Sequence, residues 1–192
     1  MDFVPVLSTF LLIFVGEFGD KTQLAIISLS CRYDVKHVFL GAMVAFLVVD
    51  GISAVLGGPL LALLPVGIVR VVAGIVFIVV GIVPLIPRKR KESGAQKNRR
   101  YTVFGVFSMV ALMELGDKTQ IIAMTLAAQN PPVMVIAGAM LAFALLTGLA
   151  VFVGSRFASK IPTKWLKIGT SILFIVLGAL SIIGAWLGIY LL

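Results

Sequence analysis

Glu17-Phe18-Gly19-Asp20-Lys21-Thr22-Gln23 returns 97 positions later as Glu114-Leu115-Gly116-Asp117-Lys118-Thr119-Gln120. The same shift, without a gap, sets Gly41-Ala42-Met43-Val44-Ala45-Phe46 on Gly138-Ala139-Met140-Leu141-Ala142-Phe143. It also pairs Gly51 with Gly148, Pro65 with Pro162, Phe77 with Phe174 and Gly81 with Gly178. One register held over so long a stretch marks a duplicated unit.

Each copy of the motif lies within an apolar run. Such runs fall at 4–30, 37–56, 67–86, 102–128, 133–154 and 166–192, near the roughly 20 residues that cross ~30 Å of hydrocarbon. Sixty per cent of the 192 residues are hydrophobic and only 12% are charged, with mean hydropathy +1.15. That is too little charge to clothe a soluble domain. The expected fold is an all-α polytopic membrane protein of six transmembrane helices. Residues 1–86 form a first three-helix repeat, 87–101 a basic cytoplasmic loop, and 102–192 a second repeat. Three spans is an odd number, so the second repeat enters the bilayer from the opposite side. Inverted repeats of this kind build secondary transporters, with the binding site near the midplane.

A net charge of +8 suggests nucleic acid until the charges are placed. Arg32, Lys36, Arg88, Lys89, Arg90, Lys91, Lys97, Arg99, Arg100, Arg156, Lys160, Lys164 and Lys167 share one side of the six-span arrangement. Arg70 stands on the other side, and Lys21 and Lys118 lie inside spans. The asymmetry is that of membrane orientation, not nucleic-acid binding, and puts both termini away from the cytoplasm. Met1-Asp2-Phe3-Val4-Pro5 lacks the positive start of a cleavable signal. The compact chain is expected in the plasma membrane, with an organellar membrane as the alternative. A single cysteine, Cys31, excludes an internal disulfide and reads as a small apolar filler.

On one continuous helix, Glu17, Asp20 and Lys21 would share a face, as would Glu114, Asp117 and Lys118. A charged side chain at the bilayer centre costs roughly 2.5–3.5 kcal/mol. Four carboxylates cost on the order of 10 kcal/mol, comparable to the stability of a whole domain. A ligand or a proton justifies that; decoration does not. The alternative is a wholly internal salt-bridge network. Hard oxygen dominates the set and neither motif contains His or Cys, which favours Mn²⁺, Ca²⁺ or Mg²⁺ over zinc and copper. Thr22, Gln23, Thr119 and Gln120 could assist only if the backbone breaks near Gly19 and Gly116. Four carboxylates less two lysines leaves two negative charges, which one divalent cation or two protons would neutralise. Exchange of metal for protons through the same groups is therefore expected.

Asp50 is a further acid inside a span, and its repeat partner is Thr147. It reads as a proton relay or an aid to ion entry from one side, or else as a cap or hydrogen-bond partner of a neighbouring helix. Gly41 with Ala45, and Gly138 with Ala142, have the spacing of close helix packing. Met113 and Met124 read as core filler, His37 as an interfacial residue, and Trp165 and Trp186 as interfacial anchors or packing aromatics.

The repeated E-x-G-D-K-T, once in each half, resembles the GDT family of manganese/calcium cation:proton exchangers, within the lysine-exporter superfamily. The resemblance extends over nearly the whole chain. It implies that Glu17, Asp20, Glu114 and Asp117 bind the cation, supported by Lys21, Lys118, Thr22 and Thr119. It also implies Mn²⁺ or Ca²⁺ as the substrate moved out of the cytosol, with no cofactor. A competing reading is an exporter of amino acids or other organic cations; a third is a non-transporting scaffold. No Ser/His/Asp or Cys/His arrangement appears, so an enzyme is not expected.

Overall fold

The computed structural model describes residues 3–56, 66–85, 99–160 and 162–187. Among them every regular element is helical: α1 (Val4–Glu17), α2 (Lys21–Ser30), α3 (Val35–Leu56), α4 (Val66–Ile82) with a 3₁₀ turn at Val83–Leu85, α5 (Arg99–Glu114), α6 (Lys118–Ala127), α7 (Pro132–Lys160) and α8 (Thr163–Leu187). The Gly57-Gly58-Pro59 break, Pro65 and most of the basic loop, Pro87 to Asn98, lie outside the described residues. Arg99, Arg100 and Tyr101, assigned to that loop from sequence, instead open α5.

The runs at 4–30 and 102–128 are each two helices, not one. At the first break Phe18 has φ −65° and ψ 115° and Gly19 has φ 81°. The Glu17 carbonyl accepts from the Asp20 amide at 3.1 Å. These are the angles and the bond of a type II turn, whose third residue must have positive φ. The second break repeats it, with Gly116 at φ 79° and Asp117 N to Glu114 O at 3.1 Å. The common helical face expected for Glu17, Asp20 and Lys21 therefore does not exist, because a turn stands between them. α7 also outruns its expected end at 154. Ser155 to Lys160 contain neither glycine nor proline, and the helix stops just short of Pro162, whose ring disfavours helix in the residue before it.

Packing follows the repeat. Gly41 on α3 lies so close to the Val103 carbonyl and Val106 on α5 that a Cβ would sit 2.8 Å from that oxygen. Shifted by 97, the same contact recurs as Gly138 on α7 against the Val6 carbonyl and Thr9 on α1. Each half thus lays its long helix on the first helix of the other. α4 and α8 close on each other in the same reciprocal way. Gly81 meets Ser171 and Ile175, while Gly178 meets Gly74 and Ile78. Phe46 stacks on its own counterpart Phe143, with centroids 3.9 Å apart and planes 7° from parallel. Residue i touching j of the other copy, and j touching i, is the rule of a two-fold interface.

The distribution of polarity is inside-out. Leu7, Leu11, Val15, Ile172, Val176 and Ile183 are exposed, whereas Glu17, Thr22, Asp50, Ser53, Glu114, Asp117, Thr119 and Gln120 are buried. Val35–Leu56, Pro132–Ala158 and Ile168–Leu187 are each long and apolar enough to cross a membrane. An apolar exterior around buried acids suits lipid as the solvent. Trp165 and Trp186 point outward, 64% and 89% exposed, which favours anchoring over packing. Met113 and Met124 fill the core as expected. His37 lies in the first turn of α3, with Nδ1 3.0 Å from Asp34 Oδ1.

Candidate functional site

The two glycine turns bring both motifs to one centre, and the turns decide which groups meet. Lys21 opens α2, and its Nζ lies 2.8 Å from Asp117 Oδ2. Lys118 opens α6, with Nζ 3.3 Å from Asp20 Oδ1 and 3.6 Å from Glu17 Oε1. Each lysine pairs with the acids of the other motif rather than its own. Glu114, fully buried, is held by two hydroxyls: Thr22 Oγ1 donates to Oε1 at 2.7 Å and Thr119 Oγ1 to Oε2 at 3.1 Å. The backbone breaks thus bring both threonines to the acids, the condition that the sequence set for them.

The glutamines do something else. Gln23 Oε1 accepts from the Gly19 amide at 2.6 Å, and Gln120 Oε1 from the Gly116 amide at 2.7 Å. Each clamps its own turn, so these amide oxygens are engaged with backbone. Gln120 also donates through Nε2 to Ser53 Oγ at 2.9 Å, tying α6 to α3. Sequence reasoning missed Ser53: its counterpart at the 97 shift is Ala150, so no repeat signal marks it.

Asp50 is 3% exposed, and among the described residues neither of its carboxylate oxygens has a hydrogen-bond partner. One turn along α3 from it, Ser53 accepts from Gln120, so this side of α3 lies against the second motif. The Asp50 counterpart, Thr147, borders a cavity of about 10 Å³ together with Glu17, Thr22, Gln23 and the Phe46–Phe143 stack, space for about one water-sized sphere.

Matching positions of the two motifs are unequally covered. The Lys118 side chain is 44% exposed and that of Lys21 only 12%. Among the described residues no three acid, histidine or cysteine side chains converge tightly enough to hold a metal ion unaided. Ammonium groups stand among the carboxylates instead. The arrangement is a buried, oxygen-rich polar centre in which any cation must compete with two lysines.

A family model described as the divalent cation/proton antiporter GDT1 matches residues 5–92 and again 102–188, once for each repeat. The chain is 28% identical to "Protein PAM71, chloroplastic" of Arabidopsis thaliana, over 91% of this chain and 55% of that protein. It is 28% identical to a GDT1-like protein of Synechocystis sp., over 89% of this chain and 93% of that one. It is 36% identical over 81 residues to the divalent cation/proton antiporter GDT1 of Saccharomyces cerevisiae, over 42% of this chain and 29% of the yeast protein. It spans about half the length of the Arabidopsis protein and nearly all of the Synechocystis one. No solved structure matches the chain.

Proposed function

Because this chain belongs to the GDT1 family of divalent cation/proton antiporters, we propose that it exports Mn²⁺, Ca²⁺ or both from the cytosol in exchange for protons. The observation that carries this reading is the crossing of the lysines. Lys21 reaches Asp117 while Lys118 reaches Asp20 and Glu17, so the two motifs make one centre. Glu17, Asp20, Glu114 and Asp117 take the cation, Thr22 and Thr119 add hydroxyl oxygens, and Gln23 and Gln120 hold the turns. The lysines occupy the carboxylates between passages of the cation, since a buried carboxylate left uncompensated is costly. Two protons or one divalent cation balance the charge that these four carboxylates and two lysines leave, Asp50 apart, which is what couples them.

In the bilayer, α1 with α2 forms one broken span, and α3 and α4 complete the first repeat. α5 with α6, α7 and α8 form the second, running the opposite way. Broken helices near the midplane are tolerated where they line a binding site. The basic loop then faces the cytoplasm and both termini face away from it, in the plasma membrane.

Reconstituted protein tests the reading. Mn²⁺ and Ca²⁺ uptake into proteoliposomes is driven by an imposed pH gradient, for the wild type and for Glu17→Gln and Glu114→Gln. Gradient-driven uptake lost in both variants supports it. Folded wild-type protein that moves neither metal, but does move an amino acid or organic cation, refutes it.

A further inference from the structure

The acids of the centre are not equally provided for. Lys118 serves Glu17 and Asp20, Lys21 serves Asp117, and two threonines serve Glu114. Asp50, buried on the side of α3 that meets Gln120, has neither oxygen hydrogen-bonded among the described residues. A buried carboxylate without a partner is costly, so a group that keeps one there has a use for it.

The two-fold relation says where that use lies. Thr147 borders the crevice at Glu17, Thr22 and Gln23. The 97 shift carries these four residues onto Asp50, Glu114, Thr119 and Gln120. Asp50 is therefore placed at the second motif as Thr147 is at the first. The Gln120–Ser53 bond fixes that placement, since Ser53 lies three residues from Asp50 on the same side of α3. Of these residues, the half-centre of four at the first motif offers one carboxylate and two hydroxyls, whereas the half-centre of four at the second offers two carboxylates and one hydroxyl.

We propose that Asp50 is a fifth cation-binding carboxylate, acting with Glu114 to make the second half-centre bind a divalent cation more tightly than the first. Hard divalent cations gain affinity from added carboxylate ligands, and Ca²⁺ accepts six to eight oxygens. The repeats then supply a matched pair of half-centres, and the Asp50/Thr147 difference makes them unequal. The inference rests on the reading of the chain as a divalent-cation transporter.

The test is equilibrium binding of Mn²⁺ alone to detergent-purified protein at one fixed pH, with free Mn²⁺ read from its electron paramagnetic resonance signal. The variants are Asp50→Asn, Asp50→Thr, and the exchange Asp50→Thr with Thr147→Asp. Asp50→Asn and Asp50→Thr should weaken binding by at least roughly tenfold, the lower end of what removing even an outer-shell partner of a metal site costs. The exchange variant should recover most of the loss, because it rebuilds the two-carboxylate set at the related position. A structural role for Asp50 gives no such recovery. Wild-type affinity in Asp50→Asn overturns the proposal. So does Asp50→Asn that keeps its affinity and loses only the pH-gradient dependence of flux, the behaviour of a proton relay. An exchange variant that melts like wild type yet binds no better than Asp50→Thr also overturns it. Failure of the wild type itself to bind Mn²⁺ removes the underlying transporter reading, an outcome distinct from all of these.

Discussion

Asp117→Asn and Asp20→Asn change the same letter of the same motif, yet the structure gives them unequal consequences. Lys21 is 12% exposed and has Asp117 as its one ion-pair partner among the described residues. Removing one member of a buried pair strands the other, at a cost of about 3–5 kcal/mol. Some exposure of Lys21 places the expected loss near the lower end, about 3 kcal/mol. Lys118 is 44% exposed, and without Asp20 it keeps Glu17 at 3.6 Å. A lysine that exposed inside a membrane protein borders a water-filled path rather than lipid, and a pair open to water contributes about 0–1 kcal/mol. For a chain of this length each kcal/mol moves Tm by about 2–4 °C, so Asp117→Asn should lower Tm by roughly 6–12 °C and Asp20→Asn by under ~4 °C. Helical circular dichroism of detergent-purified protein during heating measures both. Adding Lys21→Met to Asp117→Asn removes the stranded charge and should recover most of the loss. Equal drops in the two single variants, or no recovery in the double, would refute the assigned pairing.

Three further outcomes follow from the same geometry. Gly19→Ala meets no atom within 4 Å, so its cost is purely that of a left-handed residue, about 1–2 kcal/mol. Metal flux should fall while the protein still folds, and Gly16→Ala, equally unobstructed but ending no helix, should transport normally. Gly138→Ala drives a Cβ into the Val6 carbonyl and should destabilise by about 1–3 kcal/mol. Gly105→Ala, in the open interior of α5, should leave Tm unchanged or raise it; a thermal scan of both settles the point. Thr22→Val removes the 2.7 Å bond to Glu114 across the two repeats, a charge-assisted contact of about 1.5–3 kcal/mol. It should raise the half-saturating metal concentration more than Thr119→Val, whose bond is longer at 3.1 Å; steady-state flux against metal concentration compares them.

The repeat register told more about the architecture than hydropathy did. The alignment of Gly41 with Gly138 and of Phe46 with Phe143 in sequence becomes a reciprocal helix contact and a ring stacked on its own counterpart. Each motif interrupts its apolar run with charged and polar residues, but the apolar residues on either side made both runs look like continuous spans where each contains a turn. The turn lies in one backbone angle at one glycine, too local for any averaged window to register. Everything that depended on an unbroken helix then shifted. Lysines placed beside their own acids by the i, i+4 rule instead reach those of the other motif, and glutamines grouped with the ligand oxygens turn back to clamp the glycine amides.

What the repeat could not reveal is where its two copies part company. Lys21 and Lys118 occupy the same motif position yet differ in exposure, 12% against 44%, because coverage is set by packing across the whole bundle and not by the motif. Asp50 faces Thr147 across the register, and Ser53 faces Ala150; both divergences sit one helical turn apart on α3, against the second motif. Identity between the halves explains how a single centre is assembled from two copies. An antiporter must also release its cation, and a centre of two equal halves has no built-in bias toward either. Two departures from identity, Asp50 for Thr147 and Ser53 for Ala150, stand on the side of α3 that meets the second motif, where such a bias would act. On physical grounds the unequal positions of a duplicated site are thus the ones through which binding strength and direction can be tuned without dismantling the fold that the equal positions hold.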